Sequence, residues 1–235
     1  MRRGLDLWRE GCPPWESGGS LLLLNPRLAP VWRNRVLAAE FPDLADHVWL
    51  GTSGTSGGLK IVALSRRALE ASARAVNRHL AAGAADVWVN TLPLFHVGGL
   101  GIVVRAALAG VPGHYLGDWN AAEFVLKAED CGATLSALVP AQVHDLVAAG
   151  LPAPERLRAV VVGGGALDNG LRERAESLGW PLLVSYGLTE AGSQVAAARS
   201  EAQHEGWLPL LGHLEARLDG EGVLELRDPP CSPVG

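Results

Sequence analysis

The chain has 235 residues, 48% of them hydrophobic and 19% charged, with a formal net charge of −5. That composition excludes a disordered chain, and the acidic balance argues against a nucleic-acid-binding surface, which needs clustered Lys and Arg. The three cysteines, Cys12, Cys131 and Cys231, are far apart and form no Cys-x-x-Cys pair, so neither a zinc site nor a disulfide framework is expected and a reducing cytoplasm fits best.

In chain order, Met1-Arg2-Arg3 is followed by Asp6 and Glu10, which interrupt the apolar run that a signal peptide needs. Leu21 to Leu24 is too short to cross a bilayer, which takes about 20 apolar residues, and reads as a buried strand. His47 to Leu50 reads as another strand, leading into Thr52-Ser53-Gly54-Thr55-Ser56-Gly57-Gly58-Leu59-Lys60. Glycines let backbone N–H groups turn toward an anion, the hydroxyls add donors, and Lys60 adds positive charge, so the stretch suits phosphate. It is not a Walker A loop, because Leu59 precedes Lys60 and Ile61 follows it. The bland alternative is a plain flexible connection.

Further along, Ser65 caps a helix running to about Leu80, with Leu69, Ala73, Val76 and Leu80 on one face. Strands are expected at Val87 to Thr91, Thr134 to Val139, Ala159 to Val162 and Leu182 to Ser185, apolar throughout as strands covered on both faces should be. Between them lie helices at Asn120 to Asp130, at Ala141 to Ala149, and from an Asp168 cap to about Leu178 with Gly179 as its stop. This repetition predicts an α/β fold, a largely parallel sheet sandwiched by helices, with ligands at the carboxyl ends of the strands. Three polar or glycine-rich clusters follow strands: Gly51 to Lys60, Gly163-Gly164-Gly165, and Tyr186 to Glu190. Glu215 to Asp228 then predicts a small β-hairpin around an Asp-Gly turn.

Four motifs, in order and spacing, resemble the adenylate-forming superfamily of acyl-CoA and aryl-CoA ligases, luciferases and peptide-synthetase adenylation domains. They are Thr52 to Lys60, Leu92-Pro93-Leu94-Phe95-His96-Val97-Gly98-Gly99, Gly163-Gly164-Gly165-Ala166-Leu167 and Tyr186-Gly187-Leu188-Thr189-Glu190. Within the superfamily, Pro93 to Gly99 followed by Leu100-Gly101-Ile102 and a basic Arg105 looks most like the o-succinylbenzoate:CoA ligases of menaquinone biosynthesis. Many members carry Ser where this chain has Gly98, a departure that bears on the acyl pocket.

The resemblance implies residues 1–212 as a nucleotide- and acyl-binding domain and residues 213–235 as a hairpin extension. It implies ATP, Mg²⁺ and coenzyme A as cofactors or co-substrates, a small carboxylic acid as substrate, and neither a nucleic-acid nor a membrane partner. Thr52, Ser53, Gly54, Thr55, Ser56, Gly57 and Lys60 would hold the β- and γ-phosphates, and Thr189 the α-phosphate. Glu190 would ligate Mg²⁺, a hard cation suited to carboxylate oxygen. Gly164, Gly165 and Ala166 would let adenine approach the backbone, with Tyr186 stacked on its face between Ser185 and Gly187. His96, with Gly98, Gly99 and Gly187, would border the acyl carboxylate and gate the thiol tunnel.

Simpler roles stand beside these. A lone His96 in an apolar run reads equally as a core histidine. Arg105 is either a partner for a substrate carboxylate or a helix residue that snorkels its charge to solvent. Glu190 alone would be a surface carboxylate, and His79, His144, His204 and His213 show no metal-ligand spacing. Family members continue past the hairpin into a Thr-Gly-Asp segment, a hinge and a small lysine-bearing domain, which this sequence does not contain. The expectation is therefore either the core of a longer enzyme or a compact homologue. The latter would work with a separate C-terminal partner or as a homo-oligomer, or bind nucleotide or acyl-adenylate without catalysis. Another aryl or acyl acid remains the alternative substrate.

Overall fold

A computed structural model describes residues 20–42, 44–53, 59–199 and 207–227, with only the backbone of Ser53. The elements are β1 (Leu21–Leu23), α1 (Pro30–Ala38), β2 (His47–Ser53), β3 (Leu59–Ser65), α2 (Arg66–His79), β4 (Trp88–Asn90), α3 (Val97–Ala109), β5 (Gly113–Tyr115) and α4 (Ala121–Asp130). They continue with β6 (Leu135–Leu138), α5 (Pro140–Ala148), β7 (Ala159–Val162), α6 (Asn169–Ser177), β8 (Leu182–Leu188), β9 (Ser193–Ala197), β10 (Glu215–Leu218) and β11 (Leu224–Arg227).

The main sheet has six strands in the order β5-β4-β6-β7-β8-β9, parallel except for the antiparallel pair of β8 and β9. Strand periodicity divides its two faces. Val160 and Val162 point to a core shared with Phe124, Leu146 and Leu171 of α4, α5 and α6. Ala159 and Val161 point to the opposite core, shared with Val76 of α2 and with Ile102 and Ala106 of α3. The other side of α2 and α3, through Leu69, Leu100 and Val103, packs on a second sheet of order β1-β2-β3. Helix α3 is thus enclosed between two sheets, and that burial decides the character of the site below.

Local chemistry starts the helices where the sequence predicts. Ser65 Oγ accepts from Ala68 N at 3.1 Å, Asn120 Oδ1 from Glu123 N at 3.0 Å, and Asp168 Oδ1 from Leu171 N at 3.0 Å. Each such cap is worth about 1 kcal/mol. Trp180 closes the core beneath α6, stacked at 5.9 Å on Phe124 and donating its indole N–H to Leu151 O at 2.9 Å.

Three features depart from the sequence reading. Lys60 lies on β3, opposite Thr52, because the apolar run after it pairs antiparallel with β2. Tyr186 to Leu188 belong to β8 rather than to a following loop, because β9 gives them a partner. In the hairpin of β10 and β11, Asp219 Oδ1 accepts from Glu221 N and Val223 N, and it is Gly222 rather than Gly220 that takes positive φ, at 81°. Helix α1 and strands β5 and β9 carried no readable signal. Helix α1 buries only Val36 and so has no apolar stripe, and β5 is three residues long. No helix among the described residues is long and apolar enough to cross a membrane.

Candidate active site

A cavity of about 770 Å³ opens at the carboxyl ends of the parallel strands, where such folds bind ligands. Of the residues singled out from the sequence, His96, Gly98, Arg105, Gly164, Ser185, Gly187 and Thr189 line it. Thr52, Lys60, Gly99, Gly165, Ala166, Tyr186 and Glu190 do not. Gly54, Thr55, Ser56 and Gly57, with the side chain of Ser53, lie outside the described residues.

One wall of the cavity is built by the turn from β4 into α3. Asn90 Oδ1 accepts from Leu92 N at 2.9 Å, and Asn90 Nδ2 donates to Gly99 O at 3.0 Å, tying strand end to helix start. This closeness leaves no room for a side chain at Gly99, whose Cβ would stand 2.3 Å from Pro93 O. His96 is the residue that opens α3, its ring against Phe95 at 4.7 Å between centroids. It reaches solvent through the cavity, yet lost hydration against apolar walls holds its imidazole below the usual pKa.

Arg105 is the least expected group. It does not snorkel to solvent: it is 2% exposed, because α3 is enclosed by sheets on both sides. Its Nη2 donates to Ser193 Oγ at 3.2 Å, its guanidinium carbon lies 5.9 Å from the Trp88 ring centroid, and its Nε has no hydrogen-bond partner among the described residues. Burial lowers its pKa to about 10, so it stays a cation at neutral pH. A buried cation without a carboxylate partner is costly, and this one borders the cavity.

On another side of the cavity, β7 and β8 approach closely. Ser185 Oγ donates to Val162 O at 3.1 Å, and Gly164 turns the chain at φ 79°. Gly187 is pinned against β9, where a Cβ would meet Ser193 O at 2.2 Å. Tyr186 is 45% exposed. Lys60 Nζ donates to Glu190 Oε1 at 2.5 Å, and this bond holds the Glu190 carboxyl below the usual carboxylate range. Both side chains are about half exposed, so the pair adds little stability. Glu190 is an accessible carboxylate next in sequence to Thr189, which lines the cavity, though Glu190 itself does not. Among the described residues no group of three or more His, Cys, Asp or Glu side chains gathers.

Sequence reasoning missed Ser193, Gln194, Gln142 and Thr91, all of which line the cavity. Gln142 Nε2 donates to Thr91 Oγ1 at 3.3 Å and Gln142 Oε1 accepts from Val139 N at 3.0 Å, bracing the start of α5. No local pattern marks Ser193, whose bond to Arg105 spans 88 residues.

A family model described as "AMP-binding enzyme" matches residues 45–218. The chain is 31% identical to a 2-succinylbenzoate–CoA ligase of Staphylococcus aureus over 153 residues, 65% of this chain and 31% of that protein. A variant of E. coli MenE with bound OSB-AMS superposes with a TM-score of 0.72 at 25% identity, covering 88% of this chain and 52% of that one. An o-succinylbenzoate coenzyme A synthetase from Bacillus subtilis in complex with AMP superposes with a TM-score of 0.76 at 22% identity, covering 91% and 65%. The fold is therefore that of these synthetases' large α/β region. The match spans about a third of the length of the curated relatives.

Proposed function

The chain belongs to the AMP-binding enzyme family, and from that premise we propose that it activates an o-succinylbenzoate-type acid with ATP and passes the acyl group to coenzyme A, in menaquinone biosynthesis. The acid's carboxylate attacks the α-phosphorus, pyrophosphate leaves, and the thiol then displaces AMP. The observation that carries this reading is the presence of His96, Arg105 and Thr189 on one cavity. A neutral imidazole, a buried cation and a phosphate-binding hydroxyl are what a substrate with two carboxylates and a nucleotide requires.

In this reading Thr189 hydrogen-bonds the α-phosphate, while Lys60 and the loop after β2 hold the outer phosphates. Glu190 would hold magnesium, whose chemistry is to neutralise phosphate charge. His96 borders the reacting carboxylate, where its ring can accept or donate a hydrogen bond. Arg105 pairs with the distal carboxylate, and the adenine lies along Gly164 with Tyr186 stacked on its face. Fixing both reactants in line supplies most of what such a phosphoryl centre needs. A lysine-bearing C-terminal domain completes the site, and the enzyme works in the cytoplasm, where ATP, coenzyme A and free cysteines coexist.

A thermal-shift titration tests this with a non-hydrolysable o-succinylbenzoyl-adenylate analogue, a benzoyl-adenylate analogue and ATP. Ligand at 100 times its dissociation constant stabilises by about 2.7 kcal/mol, a shift of several degrees. Preference for the succinylbenzoyl compound is the expected result. Equal response to both adenylates would remove the substrate assignment, and no response to any would remove the nucleotide site. Release of pyrophosphate from ATP and acid separates an enzyme from a binding module.

A further inference from the structure

We propose that Ser193 is a positioning residue for Arg105 and that, with Gly101 beneath the guanidinium, it makes the chain selective for acids carrying a second, distal carboxylate. The inference rests on the acid-activating reading above and deepens it.

Helical side chains lean toward the helix N-terminus, so Arg105 passes back over the preceding turn of α3, across Gly101. A Cβ at Gly101 would stand 3.2 Å from Arg105 Nη2 and 3.4 Å from Ser193 Oγ. Glycine there leaves the space in which guanidinium and hydroxyl meet. Ser193 Oγ takes one N–H of Nη2 at 3.2 Å, which sets the plane of the fork. A carboxylate is best bound in that plane, through two parallel N–H groups. No carboxylate among the described residues is paired with Arg105, and its Nε has no partner. Donors therefore remain for a ligand at the cavity wall.

The backbone supplies independent support. Ser193 sits at φ 121°, a region that residues with a Cβ rarely adopt and glycine accepts freely. Ser193 is 7% exposed and opens β9 opposite Leu188. Holding a hydroxyl at a position whose backbone favours glycine points to a use for that hydroxyl, and Arg105 is the partner it has.

The strain also supplies a clean variant. Ser193→Gly removes the hydroxyl while relaxing the backbone, so the protein should keep or gain thermal stability. The probes are the non-hydrolysable o-succinylbenzoyl-adenylate analogue and its distal methyl ester, which share the nucleotide and aryl parts. Titrating both into the full chain by calorimetry gives an acid-over-ester affinity ratio, in which effects on the nucleotide side cancel. Ser193→Gly should cut that ratio about threefold to tenfold, the range of one neutral hydrogen bond. Gly101→Ala, crowding the same pair, should also cut it. Arg105→Ala should abolish it. If Ser193→Gly folds and keeps the full ratio while Arg105→Ala loses it, the role given to Ser193 is overturned and the pocket stands. If the unmodified chain does not prefer the acid, or Arg105→Ala leaves the preference intact, the carboxylate reading of Arg105 itself fails.

Discussion

Lys60 and Glu190, 130 residues apart in the chain, meet at 2.5 Å across the rim between β3 and the end of β8. Each carries the sign of charge of the other's ligand in the proposed site, where Lys60 would face phosphate and Glu190 a magnesium ion. In that proposed site MgATP would exchange one ion pair for two interactions of like chemistry, and removing either partner leaves the other still charged.

Lys60→Met is accordingly expected to weaken MgATP binding by about tenfold or more, the loss of one charge-assisted contact. Glu190→Gln should weaken MgATP binding while changing the affinity for metal-free AMP much less. Calorimetry with both nucleotides checks the pattern. Equal loss for AMP and MgATP in Glu190→Gln would contradict its role at the metal.

His96 should titrate below the ordinary histidine value of about 6.5, since burial against the cavity wall disfavours the imidazolium. Folding then favours the neutral ring, so its contribution to stability is full above that value and declines as pH falls below it. A proton NMR titration of the His96 ring, assigned by His96→Gln, measures the midpoint directly. A midpoint above 6.5 would contradict the environment described.

Neighbouring glycines at the start of α3 should behave oppositely. Gly99→Ala drives a Cβ to 2.3 Å from Pro93 O and 2.4 Å from Leu92 O, both backbone atoms. Destabilisation of about 2 kcal/mol or more in urea unfolding is expected. Gly98→Ser meets only Leu92 Cδ1 at 3.2 Å, the end of a flexible side chain, and should change stability by about 0.5 kcal/mol or less.

Asp86 predicts an acid-sensitive step in stability. The Arg158 guanidinium, bonding it through Nε at 2.8 Å and Nη2 at 2.7 Å, holds the Asp86 carboxyl well below the usual range, helped by Thr134 and Gly83 N. With the folded value depressed, the stabilisation is full above the unfolded aspartate value of about 3.9 and is lost as pH falls toward the folded one. Asp86→Asn should cost about 2 kcal/mol at pH 7, at the low end for a buried pair because Arg158 is partly exposed. It should also flatten the stability loss below about pH 4. Urea titrations across pH measure both.

Much of this architecture was legible in the chain because its causes are local. Ser65, Asn120 and Asp168 start helices through hydroxyl, amide or carboxylate oxygens that need only the next three residues. The run Ala159 to Val162 reads as a strand covered on both faces and is one. Helix α1 escaped notice because its exposed faces carry no period, and β9 because its apolar residues follow a polar motif without a turn signal.

Side-chain composition and spacing by themselves determined the α/β order and the caps, and four short motifs carried the family resemblance. The tertiary structure alone decided that Arg105 is buried rather than solvent-facing, that it bonds Ser193, and that Lys60 closes on Glu190. The physical reason is range. Capping and strand patterning act over a few residues of one segment, whereas burial of a charge depends on which sheets enclose its helix, and that is known only once distant segments have packed.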